Sequence, residues 1–410
     1  MRNKQSGGIL VITLVVMAAI VAALSITAAN QEIRTRVTIN RLEQRRARLA
    51  ADAGVARAMA ALATQDPNLV LQEGDWFTLG NSAADRFLIG DDSFRLEIKD
   101  ASSLVSLNTA TEEQLLNLGL TTEQTDSLLD WREPDGAARP EGAKNDYYNS
   151  LQEPYNIKGA RLDSLDELIL IRGFDNLAVY GALQDSSNAI RNGEGAFALY
   201  QLVTTDGFSP NVGQDGQPKT DVNQAQLQQF TQAGIPAQTA AAIIARRNGQ
   251  GTFTSMSLVL QTPGLNNNTA GTLLDRFSVS SEQRVEGKLN LNTVSETTLQ
   301  SIPNITTDIA QAIVSQQANG GFAALSEIFQ IPGMTLQLAA ETADRFAVGS
   351  DTFLVRVTGR AGRTDVSIEA VVQIQNGTPV LLKTLETPQR DMRSLWNWTD
   401  ETTNEVEIIG

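Results

Sequence analysis

The 410-residue chain contains no cysteine and no histidine, and only 5% of it is aromatic. Those absences exclude a thiol nucleophile, a Ser-His-Asp triad, an imidazole general base and any zinc site built from His or Cys. What remains is chemistry on carboxylates, Lys, Tyr or a metal held by oxygen. Carboxylate pairs alone define no reaction, so the chain is read as a non-enzyme. The lack of cysteine also removes disulfides as a sign of compartment. The length allows about two to four domains with sizeable cores.

Charge and proline are both missing from a long stretch near the start of the chain. Residues 9–29, ILVITLVVMAAIVAALSITAA, form an uncharged run of 21 positions, close to the ~20 a helix needs to cross a bilayer. The run follows MRNKQSGG, which carries Arg2 and Lys4. A cleaved secretory signal peptide is the competing reading, but such peptides have apolar cores of roughly 7–15 residues followed by an unrelated mature sequence. Here the pattern continues as a helix. Between Ile9 and Thr64 there is no proline and one glycine, Gly54, so one rod of roughly 85 Å is expected, ending before Asp66-Pro67. Its outer half sets Ile33, Val37, Leu42, Leu49, Val55 and Met59 among seven arginines, a pattern that calls for a partner face.

The short basic leader, Gly8 before the apolar run and the long helix together resemble type IV pilins and pseudopilins. That resemblance implies cleavage by a prepilin peptidase between Gly8 and Ile9, methylation of the new Ile9 amino terminus, and a helix that anchors in the inner membrane before packing into a filament core. It also makes Thr13 the fifth mature residue, where most of the family carries glutamate. In those proteins the carboxylate neutralises a neighbour's amino terminus in an apolar core, where an unpaired charge costs several kcal/mol. A subunit with Thr13 is suited to being the first in the filament, at its tip.

The remainder is organised by a repeat. Phe253, Met256, Val259, Pro263-Gly264 and Asp275-Arg276-Phe277 recur 69 residues later as Phe322, Leu325, Ile328, Pro332-Gly333 and Asp344-Arg345-Phe346. Such regularity implies duplicated supersecondary units, each read as two short helices around a Pro-Gly turn and then a strand. A third copy is marked by Leu162, Leu165, Leu168 and Ile171-Arg172-Gly173. Asn108, Asn223 and Asn292 open the three copies at expected helix N-caps. These units resemble helix-hairpin-helix modules, which in many proteins bind nucleic-acid phosphates. Charge opposes that use: residues 1–60 carry a balance of +6 and residues 61–410 therefore −21, whereas a polyanion calls for a basic face. Nucleic acid is disfavoured as a partner, with Arg246-Arg247 its best remaining foothold.

The first copy spans 34 residues from Leu128 to Leu162 where its siblings span ten and nine, so roughly 25 residues have been inserted, a length that is usually functional or disordered. The insert combines Gly and Pro with Asp130, Glu133, Asp135, Glu141, Asn145 and Asp146, then Tyr147, Tyr148 and Tyr155. Clustered oxygen ligands suit calcium; a solvated acidic loop fits the same composition.

The pilin-like helix without the usual glutamate, the strand pair, the DW…PDG…NDYY stretch, the ILIRG turn and the LNLNT-led hairpin, in that order, resemble the K-type minor pseudopilins of bacterial type II (general) secretion systems. The resemblance implies a subunit that joins minor pseudopilins I and J and the major pseudopilin, primes the pseudopilus tip for export of folded proteins, and keeps its C-terminal domain in the periplasm. It also implies structural calcium in the loop, carried over most readily to Asp130, Asp135 and Asp146 and less securely to Glu133, Glu141 and Asn145, because the Lys144 charge opposes a cation. Alternatives are a minor pilin of a type IV pilus and a membrane-tethered DNA receptor.

The expected fold class is α+β: a long N-terminal transmembrane helix, a small antiparallel pseudopilin sheet, and a large inserted all-helical domain of helix-hairpin-helix/SAM-like repeats. In chain order this predicts a leader at 1–8, the transmembrane segment at 9–29 of a helix over 9–65, and the first part of the sheet at 75–105. Repeat one follows at 106–185 with its acidic loop at 130–158, then a connecting segment at 186–219, repeat two at 220–285 and repeat three at 289–348. Returning strands at 352–385 and a polar tail at 386–410, whose Trp396 and Trp398 are read as packing residues, complete the chain.

Overall fold

An uninterrupted run of good helix formers becomes one helix, α1, from Ser6 to Leu62. The computed structural model describes residues 6–181, 190–192, 195–386, 392–399, 402 and 404–408; the first five residues of the expected leader and parts of the connecting segment and tail lie outside these. Among the described residues α1 alone is long and apolar enough to cross a membrane. Its large apolar side chains from Leu10 to Ile26 are exposed, as are Ile33, Val37, Leu42 and Leu49. Of the residues expected to face a partner, only Val55 and the partly buried Met59 pack on the sheet. Ala47, Ala51, Val55, Ala58 and Leu62 are buried against a sheet, three or four residues apart as one helical face requires. Small residues dominate this face and bring the helix backbone close to the sheet. A Cβ on Gly54 would lie 2.4 Å from Val357 Cγ1, and one on Gly359 would lie 2.1 Å from the Ala47 carbonyl oxygen.

The sheet has six strands: β1 (Asp85–Ile89), β2 (Asp92–Asp100), β3 (Thr352–Ala361), β4 (Thr364–Gln375), β5 (Thr378–Glu386) and β6 (Asn404–Glu407). Their spatial order is β5-β4-β3-β2-β1-β6. All pairs are antiparallel except β1 with β6, which is parallel. Alternation along β3 decides which side chain meets which layer: Phe353, Val355 and Val357 join the α1 core, while Leu354 packs with Val371, Ala101 and Leu104 on the opposite face. On that second face Arg356 stands opposite Glu97 on one side and Glu369 on the other, its Nε 2.9 Å from Glu369 Oε2. Burial lowers the Arg356 pKa, but Glu369, Tyr200 and Glu97 outweigh it and hold the group above its ordinary value. Tyr200 of the inserted domain donates to Glu369 Oε2 at 2.6 Å, and Trp396 Nε1 donates to Tyr200 Oη at 3.2 Å.

Two expectations are corrected here. Residues 75–78 make a helical turn rather than a strand, seating Trp76 edge-on against Phe353 at 5.4 Å. The polar tail, expected to add no strand, contributes β6 beyond β1, while Trp396 packs as expected, buried with Met392 and Tyr200.

Between β2 and β3 lies the inserted domain, which is not all-helical. Each repeat is closed by a two-residue parallel ladder: Val105–Ser106 with Val203–Thr204, Thr220–Asp221 with Phe277–Ser278, and Leu289–Asn290 with Phe346–Ala347. Repeat one thus runs on to residue 204. Within each unit two helical hairpins follow one another, turning at Gly119 and Gly173, Gly234 and Gly264, Asn304 and Gly333, all at positive φ, which glycine accepts freely and asparagine tolerates. The three asparagines are not N-caps. Asn223 Oδ1 accepts from Phe253 N at 2.7 Å while its Nδ2 donates to the Phe253 carbonyl at 2.9 Å. Asn108 makes the same two-way clamp on Leu162, and Asn292 on Phe322. The caps are Thr111 and Ser295, with Gln226 in the corresponding place.

Candidate functional site

The acidic insert is built on the helix α2, Thr122–Arg132, which starts with a capping box between Thr121 and Gln124. Its buried face carries Leu128, Leu129 and Trp131 into the core of repeat one with Leu162, Leu168 and Tyr148. The aromatic end of the insert wraps that core: the rings of Trp131 and Tyr148 meet edge-on at 5.4 Å, and Tyr155 lies 5.3 Å from Tyr148. Burial pushes the Tyr148 phenol up to about 12, and its oxygen accepts from Arg172 N at 3.1 Å.

Asp130 is fully buried, and its partners are cationic or amide groups of the insert. Arg139 Nη1 donates to Asp130 Oδ1 at 2.9 Å and Arg139 N to Asp130 Oδ2 at 3.0 Å. The same guanidinium forks onto Glu133, at 2.7 Å from Oε1 and 3.0 Å from Oε2, and holds that carboxyl below the ordinary glutamate range. Lys144 Nζ donates to the Asp130 carbonyl at 2.9 Å and also to the Glu133 carbonyl. Glu141 contributes its backbone N–H to Asp126 Oδ2 at 3.0 Å, and Asn145 Oδ1 accepts from Ile157 N at 2.9 Å.

The side chains expected to ligate calcium are therefore not brought together. Asp135, Glu141 and Asp146 are exposed, Asp130 and Glu133 are engaged by Arg139, and among the described residues no group of three acidic side chains is placed to hold a metal. The residues present do not fit a divalent cation. Its inward-facing oxygens already accept from nitrogen donors. Arg139 and Lys144, which make this arrangement, were not singled out as ligand replacements; the Lys144 charge was the signal that could have indicated them.

The paired arginines of the second repeat are held by backbone carbonyls. Arg247 Nη1 donates to the Val222 and Ala225 carbonyls at 2.7 and 2.9 Å, and Arg246 Nη1 to the Leu258 carbonyl at 2.7 Å. Arg132 bonds the Leu107 and Ala110 carbonyls in repeat one, and Gln317 reaches Leu291 and Val294 in repeat three. These side chains close each repeat over its own chain entry. At the other end of the molecule Gly8, Ile9 and Thr13 lie within α1. Thr13 Oγ1 donates to the Leu10 carbonyl at 2.9 Å, a bond that suits a hydroxyl on an apolar helix.

Residues 99–184 match the family described as Type II secretion system (T2SS), protein K, and residues 285–347 match the helix-hairpin-helix motif. No curated protein matches the sequence. Among solved structures, the chain is similar to one in the crystal structure of the GspK-GspI-GspJ complex from the enterotoxigenic Escherichia coli type 2 secretion system. The likeness has a TM-score of 0.52 at 12% identity and covers 86% of this chain and 99% of that chain. At this identity the comparison speaks to fold. With the protein K match over residues 99–184, the chain is similar to GspK in fold.

Proposed function

We propose that this chain is a minor pseudopilin at the tip of a type II secretion pseudopilus, where it joins I- and J-type partners and starts or caps assembly for export of folded proteins. The observation that carries the reading is the protein K match over 99–184 in a chain whose α1 presents an exposed apolar half and whose other half is packed on a pilin-like sheet. A helix of that kind can leave lipid only for an equally apolar surrounding, and a bundle of similar helices supplies one. Thr13 fits the first position of such a bundle, since it has no carboxylate to pair with the amino terminus of another subunit in a low-dielectric core. The large inserted domain then stands on the outward end of the sheet as the tip's surface. Its role is one of assembly rather than catalysis, with the single span in the inner membrane and the remainder in the periplasm.

The test is the intact mass of the protein recovered from membranes of cells with and without active prepilin peptidase. Peptidase-dependent loss of residues 1–8 with a methyl group on Ile9 is expected. A retained leader, or cleavage beyond Ala29, would overturn the pseudopilin reading.

A further inference from the structure

Where α2 ends, the Asp130 and Glu133 carbonyls both accept from Lys144 Nζ. Terminal carbonyls of a helix have no intrahelical partner and carry the negative end of its dipole, so a cation is favoured there. A few ångströms of chain away, the buried Asp130 carboxylate needs a counter-charge, because a buried unpaired ion is strongly unfavourable. Arg139 supplies it through both a side-chain and a backbone donor, and extends the same guanidinium to Glu133.

We propose that Arg139 and Lys144 together take the place of a divalent cation in this insert, making it a metal-independent clamp that ties the segment 133–145 to the end of α2. The two side chains bring two positive charges, as one divalent ion would. They bond oxygens of the kinds calcium takes, carboxylate and backbone carbonyl. Space argues the same way. Gly142 lies against Asp130, and a Cβ there would fall 2.0 Å from Asp130 Oδ2 and 3.2 Å from the Asp126 carbonyl. No room is left on that side for an ion with its water. Arg172 Nη1 then holds the Gly142 carbonyl at 3.2 Å while pairing with Glu123 at 2.6 Å and lying over Tyr147. The clamp is thereby joined to the aromatic end of the insert. The consequence is a tip domain whose folding does not follow calcium supply. This claim concerns the insert alone and stands whether or not the chain caps a pseudopilus.

The experiment is limited chymotrypsin cleavage of the full-length chain in detergent, read by mass at Tyr147 and Tyr155, in millimolar calcium chloride or millimolar EGTA. Wild-type cleavage is expected at the same rate in both. Arg139→Gln and Lys144→Gln are each expected to speed cleavage about tenfold or more in both solutions, because local opening becomes easier. Calorimetric titration of the wild type with calcium gives the second, fold-independent readout, and no saturable heat is expected. Protection of the wild type by calcium, saturable calcium binding, or variants as resistant as the wild type would each overturn the proposal.

Discussion

Asp275 and Asp344 cap each other's repeats. Asp344 Oδ1 and Oδ2 accept from Met256 N and Ser257 N at 2.9 and 3.1 Å, at the start of the helix Met256–Leu260 in repeat two. Asp275, its counterpart 69 residues earlier, accepts from Ser326 N at 2.9 Å at the start of the helical turn Leu325–Gln330 in repeat three. The duplicated Asp-Arg-Phe triplet therefore holds two copies face to face with a local two-fold relation, as well as opening a strand in each.

Replacing one member uncovers helix N–H groups in the other repeat. Asp344→Ala is expected to lower stability by about 1–2 kcal/mol, the ordinary cost of a lost cap, in urea unfolding of the full chain in detergent. Asp344→Asn keeps one acceptor and should cost less. An unchanged midpoint for Asp344→Ala would show that water replaces the cap freely.

The periodic parts of this architecture were legible in the sequence, and the reasons differ from element to element. The apolar run of α1 and the offset between Phe253 and Phe322 are local or repeated signals, and they led directly to one long apolar helix and to duplicated hairpins. Most of the seating face of α1 was missed because Ala47, Ala51 and Ala58 are weakly apolar; they matter by letting backbones approach. β6 was missed because its strand, Asn-Glu-Val-Glu, is polar and pairs in parallel with residues more than three hundred positions earlier. In the acidic insert composition named the charges but not their partners: spacing alone did not reveal that Arg139 folds back nine residues onto Asp130.

The contact between α1 and β3 tolerates no side chain at Gly359, where a Cβ would meet the Ala47 carbonyl oxygen at 2.1 Å and Ala51 N at 2.4 Å. Gly359→Val is expected to cost about 1–3 kcal/mol or more, as overpacking does, and to lift the helix from the sheet. The measurement is the urea midpoint together with protease access to residues 63–66, just after α1. A variant as stable as the wild type would contradict the close approach.

Stability should rise with pH above neutrality. Burial, with help from the nearby Lys288, lowers the Lys219 ammonium to about 7, and burial followed by Arg356 lowers Lys99 to about 8. Between those values and the ordinary lysine range of about 10.4 the unfolded chain binds protons that the native chain has released, so unfolding becomes less favourable as pH increases. Above about pH 10 the sign reverses: tyrosines of the unfolded chain ionise while buried Tyr148 and Tyr200 keep their protons. Urea unfolding at about pH 7, 9 and 11 is expected to give a maximum near the middle value, and Lys219→Met should flatten the rise. A steady decline from neutrality would contradict this.

The central claim is that this chain works as a K-type minor pseudopilin beside I- and J-type partners. Its most direct measurement is co-expression of the full chain with the I- and J-type minor pseudopilins of the same cell, followed by affinity purification on one partner and native mass determination. The account expects one ternary complex containing one copy of each subunit, weakened when the sheet is disturbed by Gly359→Val. Recovery of the I–J pair without this chain, under conditions where the chain is folded, would contradict it.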